Sequence, residues 1–112
     1  MVRAVTVTPD GRRAVSASAD GTLKVWELES GRELQTLQGH TYGVNAVAVT
    51  PDGRRAVSAS QDHTLKVWEL ESGATIATFS CDASAQCCTL ANEWTIVAGD
   101  AGGRLHILAL ER

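Results

Sequence analysis

Residues 2–31 return almost unchanged 42 positions later, as residues 44–73. Over these 30 aligned positions only four pairs differ: Arg3/Asn45, Thr6/Ala48, Ala19/Gln61 and Gly21/His63. A unit of this size is too small to bury a core of its own, so near-identical units must bury their apolar faces against one another. That excludes most single-core folds before any residue is assigned to a strand or a helix.

Within one unit the local signals are those of short strands. Residues 2–8 are rich in valine and threonine and run into Pro9-Asp10-Gly11, where proline presets φ and glycine accepts a positive one. Residues 13–18 form the next expected strand, ended by Ala19-Asp20-Gly21. Residues 22–28 form the third, ended by Glu29-Ser30-Gly31. Residues 33–37 form the fourth, followed by Gly39-His40. Four antiparallel strands with tight turns in about 42 residues are the pattern of one propeller blade. The expected fold is therefore all-β, a β-propeller segment of four-stranded antiparallel blades.

The second copy carries Gly39-His40, Pro51-Asp52-Gly53, Val57-Ser58-Ala59-Ser60 and Asp62-His63-Thr64-Leu65-Lys66-Val67-Trp68. In that order these segments resemble a full WD-type repeat, with Glu69 where the name-giving aspartate usually stands. The first copy, ending Lys24-Val25-Trp26-Glu27, is similar from its first strand onward. A third, eroded copy follows. Residues 86–91, 95–99 and 104–110 stand for its strands, Asn92-Glu93-Trp94 replaces the proline turn, Gly102 takes the aspartate position and Leu108 the tryptophan position. The division expected is blade 1 over 2–39, blade 2 over 44–80 and an incomplete blade 3 over 86–112. That amounts to about 2.75 blades, the last lacking its outer strand. The third copy also resembles the C-terminal repeats of bacterial multidomain proteins that carry propellers behind a signalling NTPase or kinase.

The resemblance implies a structural network. In the family the loop histidine bridges the turn aspartate to a strand hydroxyl, which accepts the indole N–H of the tryptophan. It carries over to His40, Asp62, Ser58 and Trp68 in blade 2, with Ser60 an alternative to Ser58. Blade 1 holds Ser16, Asp20 and Trp26 without a histidine; blade 3 holds none of the four. His40, Ser58 and Asp62 are also the residue types of a hydrolase triad, but no oxyanion hole or cleft is legible beside them. No catalytic residue is expected.

Other residues invite chemistry. Cys81, Cys87, Cys88 and His106 lack metal-ligand spacing, and neighbours on a strand point to opposite faces. They are read as small buried strand residues, and neither metal nor cofactor is expected. Arg12-Arg13 and Arg54-Arg55 look like a basic repeat that could bind phosphate, but they share a rim with Glu27, Glu29, Glu69 and Glu71, which suggests instead a self-neutralising face of exposed pairs. Three of the four mismatched pairs fall near the opposite rim. If blades were copied and only a ligand-facing rim was varied, Arg3, Asn45, Gln61 and His63, together with Tyr42, are the contact residues; a rim tolerant of any change is the alternative.

A net charge of -3 argues against a nucleic-acid surface. No apolar run reaches the length of a membrane span, and the opening MVRAVTVTPD lacks the regions of a signal peptide. Three cysteines are not a disulfide framework and suit a reducing, cytoplasmic setting. About three blades cannot close a ring of the usual 4–8. The expected function is a non-catalytic protein-interaction scaffold that completes its ring by self-association, as a cyclic dimer or trimer, and binds an unidentified protein or peptide. The alternatives are a sensor fragment of a larger bacterial signalling protein and an engineered or excised set of blades.

Overall fold

The alternation of β-branched residues with alanine and serine suits strands packed on both faces, because small residues let neighbouring sheets approach. In the computed structural model, which describes residues 1–92 and 94–109, all eleven elements are strands. The first sheet comprises β1 (Val2–Val7), β2 (Arg13–Ser18), β3 (Thr22–Glu27) and β4 (Glu33–Gln38), in sequence order and antiparallel throughout. The second repeats it with β5 (Val44–Val49), β6 (Arg55–Ser60), β7 (Thr64–Glu69) and β8 (Thr75–Ser80). The third has three strands, β9 (Ala85–Asn92), β10 (Thr95–Asp100) and β11 (Leu105–Ala109). These are propeller blades, two of four strands and one lacking its outer strand.

Several boundaries differ from the reading of the sequence. β3 stops at Glu27 because Leu28 has entered the turn, where its N–H bonds the Arg12 carbonyl. β9 is longer than expected, taking in Ala85 and Asn92, while Arg104 lies outside β11. Glu93 and residues 110–112 lie outside the described residues.

The blades bury themselves against each other. Val15, Ala17, Leu23, Val25 and Leu37 of the first close on Val44, Val47, Ala56, Trp68 and Leu70 of the second. The reverse side of the second blade, Val57, Ala59, Leu65 and Val67, closes on Ala85, Ile96 and Ala98 of the third. Strand alternation sends successive side chains to opposite sides, so each blade has two apolar faces, of which only those of blade 2 are both covered within the chain.

The inner strands carry a β-bulge near their start. Val2 pairs with Ser18 and Ala4 with Ala17, leaving Arg3 unopposed; Asn45 is the equivalent residue in β5 and Gln86 in β9. A bulge re-aims the side chain of its extra residue. Here it aims along the ring: Arg3 donates to Asn45 Oδ1 at 3.0 Å, and Asn45 Nδ2 donates to the Ala85 carbonyl at 2.8 Å.

Candidate functional site

The most constrained polar cluster is built at the junction of the first two blades. β6 and β7 place Ser58 and Trp68 two registers apart on the face turned to blade 1. The Trp68 Nε1–H donates to Ser58 Oγ at 2.8 Å. The Ser58 hydroxyl in turn meets His40 Nε2 at 2.6 Å, and His40 Nδ1 meets Asp62 Oδ2 at 2.8 Å. A neutral imidazole with its proton on Nδ1 satisfies every bond: indole to hydroxyl, hydroxyl to Nε2, Nδ1–H to carboxylate. Asp62 also accepts the Thr41 N–H, tying the loop that carries His40 to the turn between β6 and β7. Ser60, the alternative serine, holds that loop differently, donating to the Gly43 carbonyl at 2.9 Å and accepting the Asp62 N–H at 3.1 Å. Gly39 lets the loop pass, since a Cβ there would lie 2.9 Å from the Trp68 ring.

Ser58, His40 and Asp62 have the connectivity of a hydrolase relay, but Ser58 is 0% exposed and its oxygen already accepts from the indole. No substrate carbonyl can reach it. The cluster locks the blade junction.

Burial pushes the His40 pKa below its ordinary value near 6.5, against the pull of Asp62, with Lys66 adding to the depression. Burial opposes the charge on Asp62 too, yet hydrogen bonds from Thr64, His40 and Thr41 outweigh it and lower its pKa. The unfolded chain therefore binds the extra His40 proton first. The stabilisation due to neutral His40 is complete above about pH 6.5 and is lost as pH falls toward the lower folded value. That due to Asp62 is complete above about pH 3.8 and is lost below it. Thermal melts should give a Tm that is level above pH 6.5, declines as pH falls through the depressed His40 value, and falls further as pH drops below about 3.8. His40→Gln should remove the first decline, and an unchanged profile in that variant would contradict the assignment.

Blade 1 repeats half of this. The Trp26 Nε1–H donates to Ser16 Oγ at 2.9 Å, while Asp20 caps its own turn through Thr22. Blade 3 solves the turn another way. Asp100, in register with Ser60, accepts the Gly102 and Arg104 N–H groups at 2.9 and 3.0 Å and pairs with His106 Nε2 at 2.8 Å. The sequence reading missed this pair, although Asp100-Ala101-Gly102 is a turn signature in which an aspartate bonds the backbone two residues on.

On the rim, Tyr42 is 66% exposed, and Gln61 and His63 are also exposed. Arg3 and Asn45 lie there as well but bond each other. His63 has φ 71° where the first copy has Gly21 at 89°. Gly21 is required twice over, because a Cβ would also lie 2.9 Å from the His40 carbonyl oxygen. In the second copy a histidine takes a left-handed conformation that disfavours it by about 1 kcal/mol, the kind of local strain that collects at contact surfaces.

Two expectations need correction. Among the described residues, Arg12, Arg13, Arg54 and Arg55 form no ion pair with Glu27, Glu29, Glu69 or Glu71; the non-histidine pairs are Lys24–Glu33 and Arg104–Asp82. Cross-strand register puts Arg55 opposite Glu69, both half-buried, but long side chains whose charged ends reach water gain too little from pairing to be held together. The cysteines are not uniformly buried either. Cys88 packs against blade 2, where burial pushes its thiol up to about 12, whereas Cys87 is exposed because its side of β9 faces away from the second blade.

Comparisons with known proteins agree with this architecture. The family model described as WD domain, G-beta repeat matches residues 1–27 and 31–69. F-box/WD repeat-containing protein 7 of Drosophila melanogaster is 59% identical over 34 residues, covering 30% of this chain and 3% of that protein. A Lissencephaly-1 homolog of Monosiga brevicollis is 49% identical over 44 residues, 39% of this chain and 11% of the other. The β-propeller domain of Myceliophteria thermophila Cps50 (Swd1) superposes with a TM-score of 0.93 over 99% of this chain and 35% of that one; at 21% identity the likeness speaks for fold. The two sequence relatives are eukaryotic, and the chain spans a small part of their length. With both near-identical copies matched, more than half of its residues, the chain belongs to the WD40-repeat family.

Proposed function

We propose that this chain is a non-catalytic protein-interaction scaffold whose blades complete a ring with further copies of the same chain. The observation that carries self-association is a contrast between identical residues. Val44, Val47 and Leu70 of blade 2 are 0, 9 and 0% exposed beneath blade 1. Their equivalents Val2, Val5 and Leu28 of blade 1 are 62, 65 and 45% exposed. The face that covers them in blade 2 also has its counterpart, in blade 3, where Leu105 and Ile107 stand 68% exposed in the registers of Leu23 and Val25. An open apolar face at one end and its structural complement at the other favour head-to-tail association, which closes as a cyclic dimer or trimer. Further blades on a longer chain would cover the same faces, a reading favoured by the 35% share of the solved propeller that this chain spans.

The rim carrying Tyr42, Gln61 and His63, with Arg3 and Asn45 beside them, is our candidate surface for a protein or peptide partner. An exposed tyrosine is a common interface anchor, and the left-handed His63 is a residue kept against local preference. The three free cysteines fit a cytoplasmic setting. Among the described residues no helix is long and apolar enough to cross a membrane.

Light scattering after size exclusion should give two or three times the 11.9 kDa of one chain. Val5→Glu should reduce that to a single chain with its β-sheet circular dichroism intact, because Val5 is exposed within the chain and buries no core there. A wild-type chain that runs as a monomer would overturn self-association and favour the longer propeller.

A further inference from the structure

The rim opposite Tyr42 and His63 holds charges that the scaffold reading does not use. Arg13 from the start of β2, Arg54 from the turn before β6, Arg55 from the start of β6, and Glu69 and Glu71 from the end of β7 and its turn line a cavity of about 530 Å³. Among the described residues none of these five side chains makes an ion pair or a side-chain hydrogen bond, although Lys24–Glu33 and Arg104–Asp82 show that such contacts form elsewhere, at 3.1 and 2.7 Å. The carboxylates of the adjacent turns are engaged in the turns themselves. Asp52 Oδ1 accepts from Thr50 Oγ1 and the Arg54 N–H, and Asp10 Oδ1 from Thr8 Oγ1 and the Arg12 N–H.

We propose that this cleft between the first two blades binds a peptide side chain ending in an oxyanion, a phosphoserine or a carboxylate, with a basic residue beside it. Three guanidinium forks present planar pairs of N–H donors suited to the several lone pairs of a phosphate or carboxylate. The backbone that carries two of them is fixed. The backbone N–H groups of Arg13 and Arg55 are pinned to Thr8 and Thr50 Oγ1, both at 3.1 Å, at the first residue of a paired strand. Glu69 and Glu71 complete the lining and set the second half of the specificity. A run of phosphates would bring negative charge onto both carboxylates, whereas an oxyanion followed by lysine matches arginine and glutamate in turn.

The repeat supplies an internal comparison. In blade 1, Arg12, Arg13, Glu27 and Glu29 hold the equivalent positions beside a cavity of about 760 Å³, with two arginines rather than three among its lining residues. In blade 3, Thr95 and Ala109 replace Arg55 and Glu69 in register. Among the described residues the set of three arginines and two glutamates is met once, at the junction of blades 1 and 2. Since that junction lies within one chain, the site stands whether or not copies associate.

The test is a titration of the full ¹⁵N-labelled chain, followed by NMR, with four probes: Gly-phosphoserine-Lys-Gly, Gly-Glu-Lys-Gly, Gly-Ser-Lys-Gly and inorganic phosphate. The phosphopeptide should shift the resonances of Arg13, Arg54 and Arg55, and bind about tenfold more tightly than the serine peptide. The glutamate peptide should fall between them. Arg13→Gln and Arg54→Gln should each weaken the phosphopeptide by about tenfold while leaving the thermal melt unchanged. His63→Ala, on the other rim, should bind as the parent does. Equal binding of the phosphorylated and serine peptides, or no loss in either arginine variant, would overturn the site. Inorganic phosphate binding as tightly as the phosphopeptide would overturn the peptide assignment in favour of a free oxyanion.

Discussion

Trp68→Ala should lower the unfolding free energy by about 3–5 kcal/mol, the cost of emptying a large buried aromatic site. Trp26→Ala, the same residue type at the same register one blade earlier, should cost clearly less. The local sequence is identical, Leu-Lys-Val-Trp-Glu in both copies. The difference is the neighbour. Trp68 is 1% exposed, lies between its own Ala56 and the apolar face of blade 1, and passes so close to Gly39 that no side chain fits there. Trp26 is only half-buried, because its outer side meets no other blade within the chain. Removing Trp68 leaves a cavity that the rigid strand ladders on both sides cannot collapse; removing Trp26 mostly uncovers Ala14 and Ser16. Urea denaturation of the two variants, run over a range of protein concentrations, checks this. A Trp26→Ala loss that grows to match Trp68→Ala only at high concentration would be the energetic signature of a second copy covering blade 1.

Ser58→Ala should cost about 2–4 kcal/mol despite removing a single oxygen. That oxygen accepts the Trp68 indole N–H and its hydrogen serves His40 Nε2, so its loss strands two buried polar groups, each worth about 1–3 kcal/mol when unsatisfied. Neither can turn to water, since Trp68 is 1% and the His40 side chain 0% exposed. Ser16→Ala strands one group, the half-buried Trp26 N–H, and should cost a fraction of that. Chemical denaturation of both variants, with the chymotryptic nicking rate of the 39–43 loop as a second readout, separates the two cases. Ser58→Ala should speed nicking after Tyr42, because His40 loses one of its two anchors. Equal destabilisation by the two substitutions would contradict the buried relay.

The strand order, turn positions and blade pattern were legible because they are local. Thr-Pro-Asp-Gly closes on itself through Thr8 and Asp10, or Thr50 and Asp52, and needs no distant partner. The alternation of valine with alanine and serine specifies a strand with two faces fit for burial, whether or not a neighbouring blade covers both. The cluster around Trp68 was legible for a different reason: its residue types, in that order, resemble a known repeat. Which serine receives the indole was not legible. Ser58 and Ser60 have the same parity on β6, and register alone makes Ser58 the neighbour of Trp68 and Ser60 the holder of Gly43.

Much of the rim chemistry escaped the sequence because it depends on geometry between blades. A bulge is one unpaired residue, invisible in composition, yet it turns Arg3 onto Asn45 and Asn45 onto the third blade. Asp100 and His106 were hidden by an eroded repeat, where the turn aspartate had moved two positions upstream into the strand. By itself, then, the sequence of this chain determined strands, turns and the need for neighbouring blades, since φ preferences and two-residue periodicity act within a few residues. Tertiary structure alone decided which identical side chains are core and which are surface. Val5 and Val47 have the same local sequence signature, and only Val47 has a blade beside it.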